Sequence, residues 1–500
     1  MKRILFAIYP FLIASTPILA LRNYNIAYVD LASILRTLIL ANLLTALIWL
    51  LAYAILFRSW LKSGIAASLA MIIVLSYGHL HIESAAIFGE PIRHSLLTVI
   101  LAALYFLFVW LAIRNPSASE TARTILAVSA VVLVSMNLVQ SLYYDFTTLQ
   151  ATREIDKPAL NVQQSRRSNN LPDIYLIVLD AHGRHDVLEE KFGYDNSAFI
   201  QGLQDLGFYV ATCSQSNYAS TNLSLSSLFN SGYIPVQFSS TARLPALKDT
   251  VVGQTLRSLG YTFITFENRT SGHFDLQEDI RLSKNQLLLG QLNLTGGINE
   301  FEEMILQTSI LKLFWDTELI PGFNQKTLVR LENFEHYQQT RFILSDLKNV
   351  PPMKNPKFVF VHILVPHGPF VFTADGKFKS REDRSRNGYG DNAKFIDQNI
   401  LTALQTIIAT SENPPIILLM GDHGPPTGRY ATREDRMKIL NAYYVDKQTG
   451  ADLYDSITPV NSFRIIFNDY FGESFPLLDD VSHYAYKLKQ LNSAPIVRNT

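Results

Sequence analysis

Five apolar stretches crowd the first 145 residues, near 4–21, 32–57, 63–81, 95–113 and 122–142, and nothing else in the chain restricts its fold as tightly. Each spans about 18–26 residues, enough at 1.5 Å per residue to cross a hydrocarbon core of about 30 Å. Inside such a core every backbone N–H and C=O must be paired within the segment, so each stretch is expected to be a helix. Met1-Lys2-Arg3 before the first stretch resembles the start of a signal peptide. Further spans follow at once, so an uncleaved first helix is expected. With the N-terminus inside, the inner segments carry Lys2, Arg3, Arg58, Lys62, Arg114 and Arg123, against only Arg22 and Arg93 in the outer loops. That bias sets the orientation, and five spans then put everything after about residue 145 on the outer face.

The charged fraction, 17%, lies below the roughly 25% of soluble domains, and the deficit belongs to these helices. Lys+Arg and Asp+Glu both number 43, so no basic field invites a nucleic-acid partner. Cys213 is the only cysteine, which excludes an intramolecular disulfide and any CxxC metal site. Residues 1–145 are read as a transmembrane helical domain, 146–170 as a polar linker and 171–490 as a globular domain. In the last of these, aliphatic strands such as DIYLIVLD, YTFITFE, KFVFVHILVPH and PPIILLMGDHG alternate with amphipathic helical stretches. Such alternation predicts a three-layer α/β domain around a mainly parallel central sheet. The charged stretch 275–345 is expected to be a helical insertion packed on one flank.

Four polar patches stand out in this part: Asp180 in IVLDAHGR, Thr221 in SNYASTNLSLSSLF, His367 in ILVPHGPF, and Asp422–His423 in ILLMGDHGPP. Three follow strand-like runs, where an open α/β sheet gathers distant residues at its carboxyl edge. Asp180 could ligate a cation or cap the next helix. Thr221 stands near a helix start that favours an anionic oxygen, and a metal-bound hydroxyl there would be a nucleophile; a plain helix cap is the simpler reading, and Ser220 is adjacent. Asp422–His423 lies in a Gly/Pro turn that lets both side chains reach one metal, or it is a solvent-facing turn. His367 could hold a phosphate, protonate a leaving group or ligate a second metal. His362, inside the strand, reads as a packed structural histidine and His182 as an exposed loop histidine. A GxSxG elbow and a P-loop are absent.

Together the patches resemble the alkaline-phosphatase superfamily in its sulfatase-like membrane branch, with lipoteichoic-acid synthases and phosphoethanolamine transferases as the similar groups. The resemblance spans about residues 171–475 and rests on the four patches and on TNLSLSSLF. It implies Thr221 as the nucleophile, Asp180, Thr221, Asp422 and His423 as ligands of one divalent ion, Zn or Mn, and His367 as a substrate-binding or acid/base residue. It also implies a lipid donor, a glycan or lipid acceptor, and a place on the outer face of a bacterial inner membrane. The Cys/Ser-x-Pro-x-Arg signal that true sulfatases convert to formylglycine is missing: Cys213 precedes SQSN and Thr221 precedes NLSL. The expected activity is transfer of a phosphoglycerol or phosphoethanolamine group through a phospho-threonine, with a phosphodiesterase or other ester hydrolase at the same site as the alternative.

Overall fold

A computed structural model describes residues 2–497 apart from 27–28, 30, 155–170, 235–248, 268–277, 285–298, 318, 322–324, 355, 446–451, 488–489 and 492–494. Contacts divide the chain into two units, Met1–Phe146 with Leu287–Val329, and Thr147–Gln286 with Arg330–Thr500. The chain opens with the helices α1 (Lys2–Tyr24), α2 (Ala32–Leu51), α3 (Trp60–Phe88), α4 (His94–Ile113) and α5 (Pro116–Glu154), of which α5 belongs to the first unit up to Phe146. Among the described residues four helical segments are long and apolar enough to cross a membrane: Ser33–Ile55, Trp60–Phe88, His94–Ile113 and Pro116–Tyr144. The first expected span is a helix too, carrying Pro10 and Pro17, but it is not among those four. α5 continues through the start of the expected linker to Glu154; the rest of that linker, 155–170, lies outside the described residues.

The 275–345 stretch divides between the units. Ile280–Leu282 is a strand of the sheet described below, whereas Glu300–Thr308 and Leu311–Thr317 are short helices of the first unit. Phe301 is buried with Ile34, Met71 and Leu75 of α2 and α3. A Cβ at Gly78 would collide with the Gln307 carbonyl, so only glycine lets α3 approach that backbone. An ion pair between Arg36 and Glu302 and a hydrogen bond from Ile310 N to Val74 O (2.7 Å) complete the contact.

The second unit is built on seven strands: β1 (Ile174–Leu179), β2 (Tyr209–Val210), β3 (Thr262–Phe266), β4 (Ile280–Leu282), β5 (Lys357–Ile363), β6 (Ile416–Met420) and β7 (Asn441–Tyr444). Their order is β2-β7-β6-β1-β5-β3-β4, with β6, β1, β5, β3 and β4 parallel and β7 antiparallel to its neighbours. β1 is apolar at every position because both its faces are covered. Ile174, Leu176 and Val178 pack with helices Thr221–Asn230, Val251–Ser258 and Pro459–Phe471. Tyr175, Ile177 and Leu179 pack with helices Ser197–Asp205 and Arg386–Thr410. This is the expected three-layer α/β architecture with a mostly parallel sheet. Within the segment FYVATCSQS only Tyr209–Val210 form a strand of the sheet. The carboxyl ends of β1, β5 and β6 lie side by side, since Val178 pairs with both His362 and Met420.

Candidate active site

The three strand ends bring Asp180, His362 and Asp422 together, with one ligand atom of each within 4.8 Å of the others. Asp180 follows β1, and its N–H donates to Ile363 O (2.9 Å) while its carbonyl accepts from His367 N (3.0 Å). The chain then turns sharply at Ala181, whose φ of 64° is left-handed, and Ala181 N donates to Asp422 Oδ1 (3.0 Å). The Asp422–His423 pair is clamped between two glycines. A Cβ at Gly421 would run into the His182 carbonyl, and one at Gly424 would meet the Asp435 and Lys438 carbonyls at 2.6 and 2.7 Å. Neither side chain of the pair faces solvent; Asp422 and His423 are 1% and 2% exposed.

Thr221 opens the helix Thr221–Asn230, and Ser220 before it is extended (φ −136°, ψ 148°) and forms no side-chain cap. The Ser220 hydroxyl therefore leaves the first N–H groups of this helix uncapped, at a helix end that favours an anion. Thr221 Oγ1 lies 3.4 Å from His423 Nε2. The same nitrogen is 3.7 Å from Asp180 Oδ1 and 3.5 Å from Asp422 Oδ2. His423 Nδ1 donates to Gly424 O (2.9 Å), so the Nε2 lone pair points at this cluster. Asp180, Thr221, Asp422 and His423 thus converge.

Asp180 Oδ1 and Asp422 Oδ2 are buried and accept no hydrogen bond among the described residues. Two buried carboxylate oxygens in that condition are costly unless a cation joins them. Two carboxylates, a hydroxyl and an imidazole suit a divalent ion of borderline hardness, so the residues present fit a metal. Burial would raise the Asp180 carboxyl, but the imidazoles of His367, His362 and His423 hold it well below the usual carboxylate range. Burial holds His423 below the usual imidazole value, which favours the neutral ring that can ligate.

Two histidines depart from expectation. His362 lies in the cluster, with Nε2 3.2 Å from Asp180 Oδ2, and is not packing material. Burial alone would lower its pKa, yet hydrogen bonding to Asp180 and that group's charge raise it. His182 is fully buried, not an exposed loop residue: Nε2 meets Asp397 Oδ1 at 2.7 Å, and Tyr194 OH donates to Asp397 Oδ2 (2.9 Å). His367 is exposed and its ring centroid is 6.3 Å from that of His423; its Nδ1 donates to Gly368 O (2.8 Å), leaving Nε2 for chemistry. Arg436, which no sequence motif marks, reaches the cluster as well, with Nη2 3.2 Å from His423 Nε2.

Among solved structures, the chain is similar to the C-terminal periplasmic domain of EcEptC from Escherichia coli, at 14% identity over 66% of this chain and 94% of that one, TM-score 0.43. It is also similar to the corresponding domain of phosphoethanolamine transferase EptC from Campylobacter jejuni (11% identity, 62% and 92% covered, TM-score 0.39). A third is the integral membrane lipooligosaccharide phosphoethanolamine transferase A from Neisseria meningitidis (13% identity, 91% and 94% covered, TM-score 0.36). No curated protein sequence matches the chain significantly. The sulfatase family model matches residues 172–465, more than half of the sequence and all of the strands that carry the cluster, and the chain belongs to the sulfatase family.

Proposed function

We propose that this enzyme is a membrane-anchored, metal-dependent phosphoryl-group transferase of the phosphoglycerol or phosphoethanolamine type. One observation carries the reading: Thr221 Oγ1 meets His423 Nε2 at 3.4 Å beside two buried carboxylate oxygens that accept no hydrogen bond among the described residues. Asp180, Thr221, Asp422 and His423 would hold one divalent ion, Zn or Mn. When bound, that ion would lower the pKa of the threonine hydroxyl and offset charge on the phosphoryl oxygens. Thr221 Oγ, its proton lost to water, attacks the phosphorus of a lipid head group, and the Oγ–P bond forms as the bond from phosphorus to the lipid oxygen breaks; the acceptor oxygen then bonds to phosphorus as the Oγ–P bond breaks and Thr221 regains a proton from water. His367, exposed and with Nε2 uncommitted, supplies the proton to the departing oxygen and later takes one from the acceptor hydroxyl. The uncapped N–H groups at the start of the Thr221 helix favour the anionic intermediate.

Four candidate spans support a lipid donor and a location in a bacterial inner membrane; with the helix α1 counted as a fifth span, the basic-residue bias supports an outward-facing catalytic unit and a glycan or lipid acceptor in the envelope. Incubating the full chain with labelled membrane lipid tests this directly. A head-group adduct on Thr221 and its appearance on lipid or glycan are expected. Thr221→Ala should lose both while melting as the wild type does; full turnover in that variant would remove Thr221 as nucleophile, and free head group as the sole product would make the enzyme a hydrolase.

A further inference from the structure

Arg436 has no part in the proton steps or the ligand set just described, yet it is built into the same site. It belongs to the short helix Arg433–Met437 and is only 8% exposed. Its guanidinium is pinned at three nitrogens: Nε donates to Ala219 O (2.7 Å), Nη1 to Pro425 O (3.3 Å) and Nη2 to His423 Nε2 (3.2 Å). Its planar group lies over the Tyr486 ring, 5.0 Å from the centroid. None of these partners is an anion, and among the described residues Arg436 forms no ion pair. A buried guanidinium normally has a carboxylate or phosphate opposite it.

Charge balance names the missing anion. Asp180 and Asp422 together offset a divalent ion, which leaves the Arg436 charge over while Thr221 keeps its proton. Resting on the phosphoryl-transfer reading above, we propose that Arg436 holds a non-bridging oxygen of the group being transferred, so that the site is matched to a monoanionic phosphodiester. Thr221 Oγ1 and Arg436 Nη2 lie 3.4 and 3.2 Å from the same imidazole nitrogen, so they are separated by no more than about twice that distance. An oxygen two bonds beyond Thr221 Oγ1 closes much of that gap towards the guanidinium. The lone pair that Nη2 addresses is also the one His423 would lend to a metal, so in the loaded site that N–H is released for the substrate oxygen. Because Nε holds the Ala219 carbonyl, two residues before Thr221, one guanidinium ties the nucleophile's loop to the oxygen it recognises.

The full-length, metal-loaded protein in detergent is titrated with dimethyl phosphate, a monoanionic phosphodiester, while metal content and melting temperature are followed. The wild type is expected to bind, Arg436→Gln to bind about tenfold to a hundredfold more weakly, and Arg436→Lys to fall between, keeping the charge but losing the fork. Arg433→Gln, at an exposed residue over the Tyr484 ring, should bind as the wild type does. Equal binding by wild type and Arg436→Gln at equal metal content overturns the role of Arg436. Should Arg436→Gln lose its metal, wild-type affinity in Arg436→Lys overturns it instead. A wild type that holds its metal but binds no phosphodiester overturns the phosphoryl-transfer reading itself.

Discussion

Asp422→Asn should stabilise the metal-free enzyme and destabilise the loaded one. The two oxygens of Asp422 have different surroundings: Oδ1 accepts from Ala181 N at 3.0 Å, whereas Oδ2 is buried, accepts no hydrogen bond among the described residues and lies 3.5 Å from His423 Nε2. Asparagine keeps the first contact through its carbonyl oxygen and puts an NH2 group where Oδ2 stands. His423 donates through Nδ1 and its Nε2 lone pair is already addressed by Arg436 Nη2, so the new NH2 group at most shares that acceptor. Without metal, the substitution removes a buried unsatisfied anion, a gain of about 1–3 kcal/mol. With metal, the ion loses an anionic ligand. Loss of supporting groups around a metal already costs about 10–100-fold in affinity, and loss of a ligand should reach at least the upper end. At fixed saturating metal a hundredfold loss removes about 2.7 kcal/mol of ligand-linked stability. Melting of wild type and variant is followed after chelation and again after reloading with zinc or manganese. The curves should cross over: the variant melts higher than wild type in chelator and lower in metal. A variant that melts lower in both conditions would refute the reasoning, because Oδ2 would then be serving the fold and not awaiting a cation.

Gly424→Ala should weaken metal binding although every ligand is retained. Its Cβ meets the backbone carbonyls of Asp435, Lys438 and Arg436 at 2.6, 2.7 and 3.0 Å, with no flexible side chain to give way, so about 1–3 kcal/mol is lost and His423 is displaced; wild-type metal affinity measured by calorimetry on the folded variant would count against this tight fit. Asp469, on the helix Pro459–Phe471, is pushed up to about 6 by burial, helped by the charge of Asp452, against about 3.9 in an unfolded chain. The folded state thus binds this proton more tightly, so the group's contribution to stability is complete below about pH 4 and is lost as pH rises through 6. Asp469→Asn should flatten that part of the decline in melting temperature between pH 4 and 7, and an unchanged slope would assign it to other groups.

The order of helices and strands could be read from the sequence because covered strands and membrane helices are apolar whatever their neighbours. β1 is uninterrupted IYLIVL since helices cover both its faces, and that holds for any partners of the right size. β4 was hidden because it has three residues, two of them exposed, inside a charged stretch. Asp180, Asp422 and His423 were visible as polar groups ending such runs. His362 was not, since it lies inside one, yet the strand pattern does contain a signal. Phe358 and Phe360 pack on the Thr221 side of the sheet, and alternation puts His362 on that side too. Ile174, Leu176 and Val178 on β1, and Ile416, Leu418 and Met420 on β6, face the same way, with Asp180 and Asp422 next in step. A histidine in phase with two acidic strand ends is better read as part of a site than as core.

Register across strands is what that signal needs, and a single chain does not carry it: Val178 opposite His362 is fixed only once β1 and β5 pair. His182 was misread for a related reason, its partner Asp397 lying 215 residues away on another element. Arg436 is the furthest case. Locally it is a charged residue in a five-residue helix with a capping box, indistinguishable from a solvated one. It becomes part of the site because Gly424 N donates to the Arg436 carbonyl at 2.6 Å, drawing that segment against the Asp-His loop, while Gly421 lets the loop's other flank press on the His182 carbonyl. The GDHG sequence looks like a turn because of its glycines. In the fold their function is close approach: two missing Cβ atoms allow three backbone segments to stack, and that stacking is what sets Asp422, His423, Thr221 and Arg436 within reach of one another.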